Sequence, residues 1–160
     1  MTDSIQPQAD TLPHRGAEWW VARAIAVLAA LLFVQHGVVH FMGFACTFGL
    51  AGSGAVNDGY TLVAALDPDG WTMHALGVAW LLPSPLYLVA SAGLVLRRNW
   101  WQAWALAATV VSLALCILWL QPAAVGIAVD ITILVGLAVY VVLAHRSASC
   151  TARSSRRRTR

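Results

Sequence analysis

Lysine is absent from this sequence of 160 residues, glutamate occurs once, at Glu18, and charged residues make up only 11 % of the whole. A water-soluble domain carries roughly a quarter of its residues as charges, so a soluble fold with a charged shell is excluded. The three cysteines, Cys46, Cys116 and Cys150, have neither CxxC spacing nor a zinc-type grouping. No nucleotide-binding loop, zinc-protease motif or nucleophile elbow occurs, and there is no internal repeat or second domain.

What is present is apolar: 59 % of the residues are hydrophobic, and the mean hydropathy is +0.70. These residues come in long unbroken blocks rather than in alternating or amphipathic patterns, which predicts an all-α, polytopic membrane protein. Residues 24–50 hold no Asp, Glu, Lys or Arg. At ~1.5 Å per residue, a helix needs roughly 20 apolar residues to cross the hydrocarbon core, and this stretch exceeds that. It also exceeds the about 7–15 apolar residues of a secretory signal. Gly-Phe-Ala-Cys at 43–46 is only a faint lipobox, without the usual aliphatic start.

The hydrophobic blocks predict four transmembrane helices, at about 19–48, 71–96, 100–120 and 123–145, packed as one bundle. A polar arm, 1–18, precedes them and a basic tail, 146–160, read as disordered, follows. Pro83 and Pro85 fall near the middle of the second span and predict a kink there. Asp67-Pro68 or Asp69 offers an N-cap for that span. All ten basic residues are arginine, and six lie in the tail. Arg15 and Arg23, Arg97 and Arg98, and the tail fall on one side of a four-span topology. The loop 49–70, with Asp58, Asp67 and Asp69 and no basic residue, falls on the other. The positive-inside rule then places both termini in the cytoplasm. Trp19, Trp20, Trp100 and Trp101 would belt the inner boundary, and Trp71 and Trp119 the outer one. The composition, rich in Ala, Val, Leu and Gly, points to a GC-rich bacterial genome and hence to a cytoplasmic (inner) membrane. The tail would attract anionic lipid at about 1 kcal/mol per residue near the surface; it fits the membrane better than nucleic acid.

Three polar residues, Gln35, His36 and His40, interrupt the first span. The two histidines are four apart, so a helix places them on one face. Asp130 is the lone carboxylate inside a predicted span, where insertion costs roughly 2.5–3.5 kcal/mol. If the first helix is centred near His36 and the fourth near Leu134, His40 and Asp130 each lie one turn toward the outside. Asp130 is therefore level with the histidine face. His74 lies further out on the same side, and Gln35, Thr132 and Ser84 would extend the network. Three readings stay open. The cluster is a structural hydrogen-bond network, a proton-accepting or quinone-facing site, or a metal or haem site using His36, His40 and His74 with Asp130. The glycines of the spans read as close-packing positions. Cys46 and Cys116 both fall near the outer boundary, as two buried thiols or a redox pair, and Cys150 stands where S-acylation is conceivable.

The stretch His36-Gly37-Val38-Val39-His40-Phe41-Met42-Gly43-Phe44 resembles a group of small bacterial four-span proteins with an HGxxHxxGF-type first helix and an acidic residue in the fourth span, here Asp130. More distantly it resembles the DoxX-like family. That resemblance implies a link to membrane redox systems such as thiosulfate:quinone oxidoreduction. Two positions depart from it: His40 stands where a basic residue is frequent, and the second span lacks an intramembrane Glu. The expectation is a non-catalytic accessory or structural subunit of a larger membrane assembly. The alternative is a component of a quinone-linked redox pathway, with quinone, haem or metal as its cofactor.

Overall fold

Helix is the answer to a chain that must satisfy its own backbone in hydrocarbon. The computed structural model describes residues 16–50, 62, 63, 66, 70–120 and 123–158, with 147–158 as backbone only. The arm up to residue 15, most of the acidic loop with Asp58, Asp67 and Asp69, and the Cys150 side chain lie outside them. Among the described residues every regular element is helical: α1 (Ala17–Thr47), α2 (Trp71–Ala79), α3 (Pro83–Val95), α4 (Trp101–Leu118) and α5 (Ala124–Arg158). Four stretches are long and apolar enough to cross a membrane, at Ala17–Thr47, Trp71–Val95, Trp101–Leu118 and Ala124–Arg146. The chain is a small multi-pass membrane protein. Large apolar side chains such as Val38, Phe41, Val135 and Val139 lie exposed on its outside, the surface a bilayer covers.

The second span divides into α2 and α3 at residues 80–82, beside the prolines expected to kink it. Each proline removes the N–H that would bond the carbonyl four residues back, which frees Ala79 O from Pro83 and Leu81 O from Pro85. Tighter bonds take both: Leu82 N–H donates to Ala79 O at 3.0 Å and Ser84 N–H to Leu81 O at 3.3 Å. Residues 80–82 thus form a corner between α2 and α3, with Pro83 at the first position of the new helix.

Two helix ends close in the same way with different residues. At the end of α1, Leu50 N–H bonds Ala45 O and Gly49 N–H bonds Cys46 O, with Gly49 at φ 66. At the end of α3, Arg98 N–H bonds Gly93 O and Arg97 N–H bonds Leu94 O, with Arg97 at φ 55. Both are Schellman motifs. Glycine adopts the left-handed residue freely, whereas arginine there costs roughly 1–2 kcal/mol.

Several boundaries and placements differ from the sequence reading. The N-cap of α2 is Gly70, with no side-chain cap bond, in place of Asp67 or Asp69. Helix α5 continues in backbone to Arg158, well past 145 and into the basic tail. Trp101 and Trp119 are buried, because each turns inward onto neighbouring rings: Trp101 onto Phe33 and Tyr140, Trp119 onto Trp80. Trp20, Trp71 and Trp100 are exposed, as boundary residues are.

Helix α1 packs chiefly on α3, α3 on α4, and α4 on α5. The α1–α3 seam is tight. Gly37 lets the chains approach so closely that a Cβ there would sit 3.2 Å from Tyr87 Cβ and 3.4 Å from Ser84 O. Ser84 donates to Gly37 O at 2.7 Å and Ser91 to Ala30 O at 3.1 Å. The serines are seven residues apart and so are their acceptors, which is the register of two antiparallel helices. Two apolar layers result. One is built on Phe33, Ala90, Trp101, Ala105, Ile133 and Leu137, and the other on Met73, Trp80, Leu115 and Trp119. The polar residues lie between them.

Candidate functional site

Each span delivers polar side chains to one buried point. Helix α1 supplies His36 and His40, one turn apart, with ring centroids 5.2 Å from each other and edge to face. Helix α3 supplies Tyr87, α4 supplies Thr109 and Ser112, and α5 supplies Asp130, which is wholly buried. His36 Nε2 lies 2.9 Å from Asp130 Oδ1 and 3.2 Å from Ser112 Oγ. Ser112 donates to Asp130 Oδ2 at 2.7 Å, and His40 Nε2 lies 2.9 Å from Ser112 Oγ. The Tyr87 hydroxyl is 3.0 Å from Asp130 Oδ1 and 3.1 Å from Thr109 Oγ1. Thr109 in turn donates to Ala105 O at 2.7 Å.

With Asp130 as an ionised acceptor, these distances imply one arrangement of the hydrogens. Ser112 has one proton and gives it to Asp130, so its oxygen accepts from His40; His40 therefore carries its hydrogen on Nε2. The carboxylate of Asp130 collects donors from His36, Tyr87 and Ser112, which is how a buried acid is made tolerable. His36 is also its ion-pair partner whenever that ring is protonated.

Among the described residues two buried side-chain nitrogens have no hydrogen-bond partner: His40 Nδ1 and Trp119 Nε1. They differ in kind. In a neutral His40 with its hydrogen on Nε2, Nδ1 is an acceptor, whereas an indole N–H is a donor only. Both residues line one cavity of about 440 Å³, with Trp80 between them, 5.3 Å from the His40 ring and 5.4 Å from the Trp119 ring. The remaining wall comes mainly from α1 (Leu32, Gln35, Val39, Met42, Gly43, Cys46) and α5 (Val125, Gly126, Val129). Val39, Met42 and Val125 are more than half exposed, so the cavity opens sideways between α1 and α5, toward acyl chains.

Of the residues singled out in the sequence, His36, His40 and Asp130 meet in this network. Gln35 stands on the exposed side of α1 at the cavity wall. His74 does not join them: it stacks on Phe48, ring centroids 5.0 Å apart. Among the described residues no group of three His, Cys, Asp or Glu side chains is placed to hold a metal ion, so His36, His40 and His74 do not form one ligand set. Ser84 is committed to Gly37 O, and Thr132 is exposed and bonds back to Ala128 O at 2.8 Å; neither extends the cluster. Cys46 and Cys116 are both free thiols on the cavity wall.

Sequence reasoning missed Tyr87, Ser112, Thr109 and the inward turn of Trp119. A signal existed on α4: Ala105, Thr109, Ser112 and Cys116 follow one another at helical spacing, a stripe of small and polar residues in an otherwise bulky span. Compared with known proteins, the chain matches no family model, no curated protein and no solved structure.

Proposed function

We propose that this protein binds a lipid-soluble aromatic molecule of the quinone class, admitted from the bilayer between α1 and α5, and serves a membrane redox pathway. The observation that carries this reading is the pair of unpartnered buried nitrogens, one donor and one acceptor, on two residues that line a single lateral cavity. A quinone or quinol head is a flat ring bearing oxygens. It would lie against the rings of Trp80, Trp119 and His40 and supply an acceptor for Trp119 Nε1–H and a hydroxyl for His40 Nδ1. A volume of about 440 Å³ lies within the roughly 300–1,000 Å³ usual for small-molecule sites. The HGxxHxxGF stretch, with its resemblance to DoxX-like proteins, supports the same direction. In this reading the protein sits in a bacterial cytoplasmic membrane with both termini inside, as the arginine distribution implies.

The test is equilibrium binding of a short-chain benzoquinone to the purified protein in lipid nanodiscs. Trp119→Phe keeps the ring and deletes the N–H. Losing a neutral hydrogen bond of about 1 kcal/mol should weaken binding roughly fivefold. No saturable binding to the wild type, or unchanged affinity in the variant, sinks the proposal.

A second reading, an accessory subunit packed against a larger membrane partner, draws on α5. Only 11 % of its span is buried within the protein, against 39 % for each of the two preceding spans. Gly136 on that helix faces open space, where a neighbouring helix would approach closely. Purification in mild detergent, followed by identification of what remains bound to the wild type but not to Gly136→Leu, tests it.

A further inference from the structure

We infer that the site takes its ligand in the reduced, hydroxyl-bearing form and draws the hydroxyl proton inward, from His40 through Ser112 to Asp130, as a relay with one open end. The inference rests on the ligand reading above and adds to it a direction and a destination for a proton.

The hydrogen bonds set the direction. Asp130 Oδ2 accepts from Ser112 at 2.7 Å, and Ser112 Oγ accepts from His40 Nε2 at 2.9 Å. His40 Nδ1, with no hydrogen-bond partner among the described residues, is the free end of that chain. When a ligand hydroxyl donates there, its O–H bond breaks and an N–H bond forms on Nδ1. The Nε2 hydrogen moves to Ser112 Oγ while the serine's own hydrogen moves to Asp130 Oδ2. The electron pair of the broken bond stays on the ligand oxygen. The balance is one proton moved inward and one negative charge moved outward, from Asp130 to the ligand. No oxidant is needed for this step; it converts a quinol into the more readily oxidised quinolate.

The far end is closed. Among the described residues the hydrogen-bonded file branches beyond Asp130: one arm is His36, which returns to the cavity wall, and the other runs through Tyr87 and Thr109 and stops at the main-chain carbonyl of Ala105. Phe33, Ala105, Ala108, Ile133 and Leu137 form the apolar layer there. The titratable groups around the acid are His36 from α1, Tyr87 from α3 and, one turn beyond Ser112 on α4, Cys116. Among the described residues no further donor leads from this file across the layer. The proton is therefore stored and handed back through the cavity rather than carried across the bilayer.

The experiment is infrared difference spectroscopy on the full chain in nanodiscs, with a short-chain benzoquinol as probe and the matching benzoquinone as the control without a proton. The expected result is a protonated-carboxyl C=O band on adding quinol, absent with quinone and absent in Asp130→Asn. Ser112→Ala should lose most of that band per bound quinol, and Ser112→Thr, which keeps a hydroxyl, should restore it. Quinol binding without the band overturns the relay and leaves the ligand site standing. Failure of both quinol and quinone to bind removes the ligand site and the relay together. A band that persists at full strength in folded Ser112→Ala excludes the path through Ser112. The wild-type comparison decides the matter even if a variant does not fold.

Discussion

Helix α1 has two flanks built on opposite principles. Toward α3 it is sealed: Gly37 admits the Tyr87 backbone region, and Ser84 and Ser91 fasten it to main-chain oxygens one heptad apart. Toward α5 it is left ajar along a cavity that His36 lines, and a polar link between the two helices is the His36–Asp130 contact. Hydrocarbon solvent explains why both survive in one protein. Lipid does not squeeze helices together, so seams close where small residues and hydrogen bonds close them. Where side chains are bulky, as Val39, Met42, Val125 and Val129 are, a gap costs little because acyl chains or a ligand fill it.

The largest expected effect falls on the open flank. Asp130→Ala strands three buried donors, and breaking such a buried pair should cost about 3–5 kcal/mol, read as a lower unfolding midpoint in detergent titrations. A loss below about 1 kcal/mol would mean that the acid does not join α5 to α1. On the sealed flank, Gly37→Val forces branched carbon against Tyr87 Cβ and Ser84 O, an overpacking penalty of about 1–3 kcal/mol. Val39→Ala, on the cavity side of the same helix, should stay within about 0.5 kcal/mol. If the two variants unfold alike, the contrast between the flanks is wrong. The smallest effect is Ser91→Ala, which removes one interhelical bond; such bonds average about 0.6 kcal/mol in membranes. Its loss should leave ligand affinity untouched, since Ser91 lies on the flank away from the cavity.

The sequence made the spans legible because apolar length is a bulk property that tolerates error in any single residue. It also made the meeting of His36, His40 and Asp130 legible, since a one-turn spacing and a common depth are set by helix rise alone. The rest of the site depends on rotation about the helix axes, which hydropathy does not encode. Ser112 looks like a hydroxyl that bonds back to its own helix, as Thr132 and Thr47 do, and Thr109 does bond back, to Ala105 O, while also meeting Tyr87. Tyr87 is overshadowed by the prolines before it. Trp119 stands at the end of a span, where an indole normally faces headgroups, yet it turns inward onto Trp80. The unsealed flank was equally hidden, because short turns announce which helices are neighbours in sequence and say nothing of whether the first and last ones close the ring.

The corner at residues 80–82 carries an implication for anyone who would straighten it. Restoring a hydrogen to position 83 with Pro83→Ala does not simply hand back a missing bond. The new amide would reach for Ala79 O, already held by Leu82, and an amide at position 85 would meet the same rivalry with Ser84 for Leu81 O. A single replacement therefore sets two donors on one oxygen, whose two lone pairs serve both only through a crowded, weaker geometry. The two rings are a matched pair, and only their joint removal would let that span run as one rod.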